Sequence, residues 1–285
     1  KCVLLFLMFF LCYIGFEIKP MAAIVMIAVA AVEGIHFIGK LLKKQIVWKK
    51  SVLACCLSAV LGIGAAAGGV SAVVDSLHFP VVTDTVLGWQ HHMMLGLNKD
   101  TNGGYSQADF DYSTSFSSAE EQHAAELKEI GKRLKDFGVG GYLQHFVKKS
   151  ARNYFDGCFG WGGLGETFYT EIFPERGTVL CSLIRSLYYD NTEDTLYRYP
   201  ALFRQILWYM VLVLVPFSVF TKRPLDKKRQ VAVLSVLGLM LYLQIFEAHA
   251  RYLYTFVPIF VFLATEGIDN LREYLNQKSE RRVKK

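Results

Sequence analysis

Apolar and polar residues alternate along this 285-residue chain in long blocks. Six apolar runs lie near Cys2 to Phe16, Met21 to Ile38, Ser51 to Val74, Ala201 to Phe220, Val231 to Phe246 and Leu253 to Thr265. A run of roughly 20 residues, rising about 1.5 Å each, crosses a hydrocarbon core. The first and last runs are short, so interfacial residues or tilt must complete them. The pattern predicts an all-α polytopic membrane protein with about six transmembrane helices and one large mixed extracytoplasmic loop domain between helices 3 and 4. Its blocks are 1–74 (three helices), 75–200 (the outer domain), 201–268 (three helices) and a basic tail, 269–285.

Basic residues orient this arrangement. Lys40, Lys43, Lys44, Lys49 and Lys50 join the second and third runs, and Lys222, Arg223, Lys227, Lys228 and Arg229 join the fourth and fifth. The tail carries Arg272, Lys278, Arg281, Arg282, Lys284 and Lys285. The positive-inside rule sends all three clusters to the cytoplasm. An odd number of spans separates each of the first two clusters from the long polar stretch, so the assignments agree. They predict a multi-pass protein of the cell membrane with 75–200 outside and the C-terminus in the cytoplasm.

Composition agrees. Hydrophobic residues make up 53% of the chain and aromatics 14%, and the mean hydropathy is +0.28, too apolar for an ordinary soluble domain of this length. The formal charge of +6 sits mostly in loops and a tail beside spans, where it meets anionic lipid. No nucleic-acid partner is expected. Cys2, Cys12, Cys55 and Cys56 fall in apolar runs as small hydrophobes. Cys158 and Cys181 lie in the outer region, either bonded to each other or free. The chain begins at Lys1 and enters an apolar run at once, without the n-region and cleavage site of a signal peptide. It reads as the C-terminal part of a longer protein.

Within the outer region, Asp75 to Trp89 forms a short connector with Pro80, followed by His91–Asn98 and a Gly- and Asp-rich stretch from Lys99 to Ser115. Ser118 with Glu121 is a capping box, with Lys132, Arg133 and Lys135 near the far end, so a helix is expected from about Ala119 to Asp136. Gly138, Gly140 and Gly141 end it. Tyr142 to Tyr154 then brings Tyr142, Phe146 and Val147 together while Lys148, Lys149 and Arg152 supply charge. That segment is either an amphipathic helix on the outer leaflet or one packed on its own domain. Phe155 to Phe173 is rich in aromatics and glycine, as in loops at an interface or a polar cavity.

Several constellations carry candidate chemistry. Asn98, Asp100, Asn102 and Asp109, with Gly103, approximate a calcium loop, and a polar turn is the plainer alternative; a divalent cation is thus the one cofactor in view. Asp109-Phe-Asp111 resembles the Asp-x-Asp pair of nucleotide-sugar transferases, but on a side where such donors are scarce. His91-His92 diverge on any regular element and lack a third ligand. Glu33-x-x-His36 has the spacing of half a carboxylate di-metal site, without a second copy. Glu247, His249, Arg251 and Tyr252 crowd the outer mouth between the last two runs, where charge is costly without a partner or ligand. Glu247 and Arg251 either pair at i, i+4, or Arg251 meets a phosphate, whose oxygens match a guanidinium fork.

Glu247-Ala-His-Ala-Arg251-Tyr252-Leu-Tyr-Thr-Phe-Val-Pro258 resembles the E-x-R-x-R-Y-L-x-x-x-x-P turn near the C-terminus of bacterial GT-C superfamily glycosyltransferases, the dolichyl-phosphate-mannose-protein mannosyltransferase-like group. His249 departs from that pattern. Met93–Asn98 through Gly103-Gly104-Tyr105 to Asp109, the 119–136 helix, and Asp156-Gly157 with Phe159-Gly160-Trp161 are also similar to segments of Gram-positive members. The resemblance implies transfer of a sugar from a polyprenyl-phosphate carrier to a glycan or protein hydroxyl at the outer face, with inversion. It places the acidic residue that acts as base in an outer loop upstream of Lys1, so no base is carried onto this chain and the fragment alone is expected to be inactive. Arg251 and Tyr252 match the turn and are the candidates for carrier-phosphate contact, with Glu247 and His249 beside them. A transporter or flippase of envelope lipid or glycan, or a non-catalytic envelope protein, is the alternative.

Overall fold

The computed structural model describes residues 2–43, 50–78, 87–161, 178–188, 196–220 and 224–283. Lys44, Lys49, Pro80, Lys222, Arg223, Lys284, Lys285 and the stretch from Gly162 to Phe173 lie outside the described residues. The described chain is helical, with no strand among those residues.

The helices are α1 (Cys2–Ile18), α2 (Ala23–Leu42), α3 (Lys50–Leu77), α4 (Trp89–Gly96), α5 (Gln107–Thr114), α6 (Ala119–Tyr154), α7 (Val179–Tyr188), α8 (Arg198–Leu214), α9 (Lys227–Ile245) and α10 (Val257–Val283), with 3-10 turns at Pro20–Ala22, Val215–Ser218 and Ala250–Phe256. Among the described residues, five helical stretches are long and apolar enough to cross a membrane: Pro20–Leu42, Leu53–Leu77, Arg198–Ser218, Lys227–Ile245 and Ala250–Glu280. The sixth expected span, α1, has 17 residues, about 25 Å at the usual rise, and is apolar up to Glu17 near its end. The expected tail is not a separate segment. Helix α10, 27 residues long, runs on into it and measures about 40 Å against a hydrocarbon thickness of about 30 Å, so its charged second half outruns the apolar layer.

Packing divides the chain into two compact units, Lys1–Asp84 with Leu225–Tyr242, and Thr85–Pro224 with Leu243–Lys285. In the first, α1 packs on α3 at Gly62, where an added Cβ would stand 2.5 Å from the Phe6 carbonyl oxygen. Small residues permit such backbone approach between apolar helices. The end of α2 meets the start of α9: Lys227 Nζ donates to Glu33 at 2.7 Å, and His36 Nε2 pairs with Gln230 Oε1 at 3.0 Å. Ile24, at the start of α2, meets Gly238 in mid-α9. The two helices are therefore antiparallel, and the Glu33-x-x-His36 pair is spent on polar contacts between them.

In the second unit α8 and α10 run parallel. Trp208 stacks edge-on against Phe260 at 5.3 Å, Gly267 abuts Leu214, and Asn270 Nδ2 donates to the Phe217 and Ser218 carbonyls at 2.9 and 3.1 Å. Both relative directions are those required by the expected alternation of spans.

Helix α6 merges the two helices expected on either side of the glycines. Ser118 caps it by accepting from Glu121 N, and Gly138, at φ 55° and ψ −177°, breaks it internally. That conformation is open essentially only to glycine.

Candidate functional site

The site is assembled from short local devices in the second unit. Helix α4 ends at Gly96, whose carbonyl receives His145 Nε2 at 3.0 Å and Lys149 Nζ at 2.8 Å. Lys149 also donates to the Gln244 carbonyl at 2.9 Å. A Cβ on Gly96 would stand 2.6 Å from the Ile245 oxygen and 2.8 Å from Lys149 Nζ, so this approach requires glycine. Gly103, at φ 80°, packs on the Lys149 stem; its carbonyl accepts from Ala248 N at 2.6 Å. Gly104 lies against the Arg152 guanidinium, and Arg152 Nε donates to the Ala248 carbonyl at 3.3 Å. Three segments distant in sequence, 96–104, 145–153 and 244–248, are thus stitched together through backbone carbonyls.

Lys149 was expected to supply surface charge, yet it is 0% exposed. Absent glycine side chains let carbonyl oxygens surround its amine, which makes burial tolerable. Burial pushes its pKa down to about 7, against the opposing attraction of Glu247.

The next turn orients the mouth. Glu247 is buried; its Oε2 accepts from the Tyr252 hydroxyl at 2.7 Å and lies 3.7 Å from His92 Nδ1. Burial alone would raise its pKa, but hydrogen bonds from His92 and Tyr252 and the charge of Arg251 outweigh it and hold the carboxylate below its ordinary range. The i, i+4 pairing of Glu247 with Arg251 is replaced by these contacts because residues 247–249 are not helical and 250–256 form a 3-10 helix. His249 is extended (φ −156°) and caps that helix. Its Nδ1 accepts from Arg251 N at 3.2 Å, which assigns the ring proton to Nε2. Burial and Arg251 lower its pKa, favouring that neutral form. Arg251 is exposed, its guanidinium 5.3 Å from the Tyr252 ring centroid.

The Asp156–Gly160 turn closes the group. Asp156 accepts from Cys158 N at 2.7 Å and Gly160 N at 2.5 Å. A Cβ on Gly157 would stand 2.8 Å from the Arg204 carbonyl oxygen, and one on Gly160, at φ 77°, 2.6 Å from the His249 ring. The turn is therefore wedged between α8 and the 249 corner. Arg204 lies 5.7 Å from the Tyr197 ring centroid, and its buried Nε and Nη2 have no hydrogen-bond partner among the described residues.

The candidate cation loop is organised differently. Arg133 donates to the two carboxylate oxygens of Asp109 at 2.7 and 2.9 Å, and Asn98 Nδ2 donates to Asp109 at 2.9 Å. Asn98 Oδ1 accepts from the amides of Asp100 and Thr101 at 3.0 and 3.2 Å. Asp109 and Asn98 are thereby committed to protein partners, with a guanidinium where a cation would sit; Asp100 is exposed and Asn102 adopts φ 50°. Burial raises the Asp109 pKa, but Arg133 and Asn98 prevail and hold it low. Asp111 accepts from Gln107 at 2.8 Å. No cluster of three or more His, Cys, Asp or Glu side chains suited to a metal occurs among the described residues. His91 and His92 diverge: His91 is buried, 2.7 Å from Ser113 Oγ and 3.9 Å from Glu126, whereas His92 turns to Glu247. Cys158 and Cys181 are free thiols.

The fold thus brings Glu247, His249, Arg251 and Tyr252 together with the 93–104 and 156–161 segments. Sequence reasoning missed Lys149, Arg152, His92 and Arg204 as parts of one site. The legible signal was His145, Lys149 and Asn153 recurring every four residues, away from Leu143 and Val147. The chain belongs to a family described as "conserved hypothetical integral membrane protein", which matches residues 1–270. Comparisons with curated proteins and with solved structures find no match.

Proposed function

We propose that this integral membrane protein serves as a glycosyltransferase that moves a sugar from a polyprenyl-phosphate carrier to an envelope acceptor. In this reading residues 75–200 face outward from the cell membrane, the C-terminus is cytoplasmic, and the 247–252 turn meets the carrier's phosphate. One observation carries it: Arg251 stands exposed at the head of a membrane-length helix, while the neighbouring carboxylate is already held by Tyr252 and His92. Its guanidinium is therefore available to a phosphate in two-pronged fashion. Arg204 has unspent nitrogens beyond the Asp156–Gly160 turn, and the neutral His249 does not compete for the anion. Cations around the leaving phosphate would stabilise the charge that grows as the glycosidic bond breaks. No base is assigned to this chain.

The test is sugar transfer from radiolabelled polyprenyl-phosphate sugars by membranes carrying the complete protein, against membranes carrying Arg251→Ala. Loss of about a hundredfold or more is expected, the scale on which a transition-state charge contact acts. Full activity in the variant refutes the phosphate role. No product from any donor by correctly inserted protein favours transport of such a lipid instead.

A further inference from the structure

The second half of α6 is built inside out. Its polar residues His145, Lys149 and Asn153 are buried, while Val139 (83% exposed), Leu143 (61%) and Val147 (67%) form the outer stripe with the partly exposed Phe146. The spacing i, i+4, i+7, i+8 puts all four on one face. A soluble helix arranged this way would lose the benefit of its apolar residues and bear the cost of its buried polar ones.

The surroundings identify what covers that face. Lys149 and Gln244 fasten the helix to the end of the membrane-length α9. At its C-terminal end, Trp208 Nε1 donates to the Tyr154 carbonyl at 2.9 Å, the Tyr209 hydroxyl donates to the Phe155 carbonyl at 3.1 Å, and the Tyr154 ring lies 6.4 Å from Phe260. These partners belong to the two membrane-length stretches Arg198–Ser218 and Ala250–Glu280, and Trp and Tyr are the residues that populate the interface. A second exposed apolar face, that of α7 with Leu180 and Ile184, adjoins the same α8. Two separate faces bordering one span fit a continuous apolar medium better than a local protein partner.

We infer that residues 139–154 lie in the outer leaflet, with Val139, Leu143, Phe146 and Val147 among acyl chains and Lys148 reaching the headgroups. The helix is a lipid-facing wall whose protein-facing side supplies Lys149 and Arg152 to the mouth. This inference stands independently of sugar transfer.

Spin labels at Leu143→Cys, Val147→Cys and, as control, Glu121→Cys test it. They are introduced singly into the complete protein after alanine replacement of its native cysteines, in nanodiscs of phosphatidylcholine and phosphatidylglycerol. All three positions are exposed in the fold, so the substitutions leave packing intact. Labels at 143 and 147 should be relaxed by dissolved oxygen and lose relaxation by a water-soluble nickel chelate, with the reverse at 121. Nickel access at 143 and 147 equal to that at 121 overturns the inference in favour of a solvated helix. Loss of access to both reagents overturns it in favour of a covering protein.

Discussion

The two halves of α6 bury similar material and show opposite faces to the outside. Before Gly138 the helix buries Gln122, Glu126 and Ile130 and exposes mainly charge, Glu120, Glu121, Lys128, Lys132 and Lys135, around the isolated Leu127 and Leu134. After it the helix buries His145, Lys149 and Asn153 and exposes valine, leucine and phenylalanine. Buried polarity is common to both, so the inner face does not reveal the environment; the outer face does. Charged residues belong in water and a clean apolar stripe belongs in hydrocarbon. The single left-handed glycine separates the two regimes.

The comparison breaks most completely at Gly96, which the second half requires and the first does not touch. Gly96→Val places atoms against the carbonyls of Ile245 and Phe246 and the amine of Lys149. A loss on the order of 5 kcal/mol is expected, beyond ordinary overpacking because backbone has to move. The yield of monodisperse protein in detergent measures it, and wild-type yield would mean that the cradle is soft.

The first half rests instead on Arg133. Arg133→Ala leaves Asp109 buried without its cation, at about 3 to 5 kcal/mol. The pH dependence follows. With Arg133 present the Asp109 pKa is depressed, so its stabilisation is fully present above the ordinary carboxylate pKa and fades as pH falls through the lower folded value. In the variant that acid-side loss should disappear from melting curves; its persistence would assign it to another carboxylate.

How much of this was legible depended on range. The capping box at Ser118 and the break at Gly138 follow from neighbouring residues, so the sequence sufficed. The recurrence of His145, Lys149 and Asn153 marks a polar face, but it does not announce the carbonyls of Gly96 and Gln244 that let the Lys149 amine be buried there. Pairing of Glu247 with Arg251 at i, i+4 was one of the two readings the spacing allowed; the extended backbone at His249 sends the carboxylate to Tyr252 instead. The expected division of domains also followed chain order, whereas packing groups α8 and α10 with the outer segments and α9 with the N-terminal helices.

Gly138→Ala should cost about 1 to 3 kcal/mol, since its φ of 55° with ψ of −177° is strained for any side chain. A neutral result by thermal unfolding would show that the two halves can join as one straight helix. Lys149 sharpens the contrast through pH. Its amine titrates near 7 in the folded protein against 10.5 ordinarily, so between those values the unfolded chain binds more protons and stability rises with pH. The slope is at most about 1.4 kcal/mol per pH unit. Lys149→Met should remove it from melting temperatures measured across that window, and an unchanged slope would mean that the amine stays charged when buried.

The smallest effect tests whether the first half is an ordinary solvated helix. Gly131 lies within it, exposed, and a Cβ there would meet nothing within 4 Å. No close approach among the described residues explains the glycine, which leaves its intrinsic cost to the helix. Gly131→Ala should therefore stabilise by about 0.5 to 1 kcal/mol, mainly by restricting the unfolded chain. The same change at Gly138 has the opposite sign although the two glycines are seven residues apart in one helix. A destabilised Gly131→Ala would mean that something packs on the first half as well, and the division of α6 into a watery and a lipid-facing half would no longer hold.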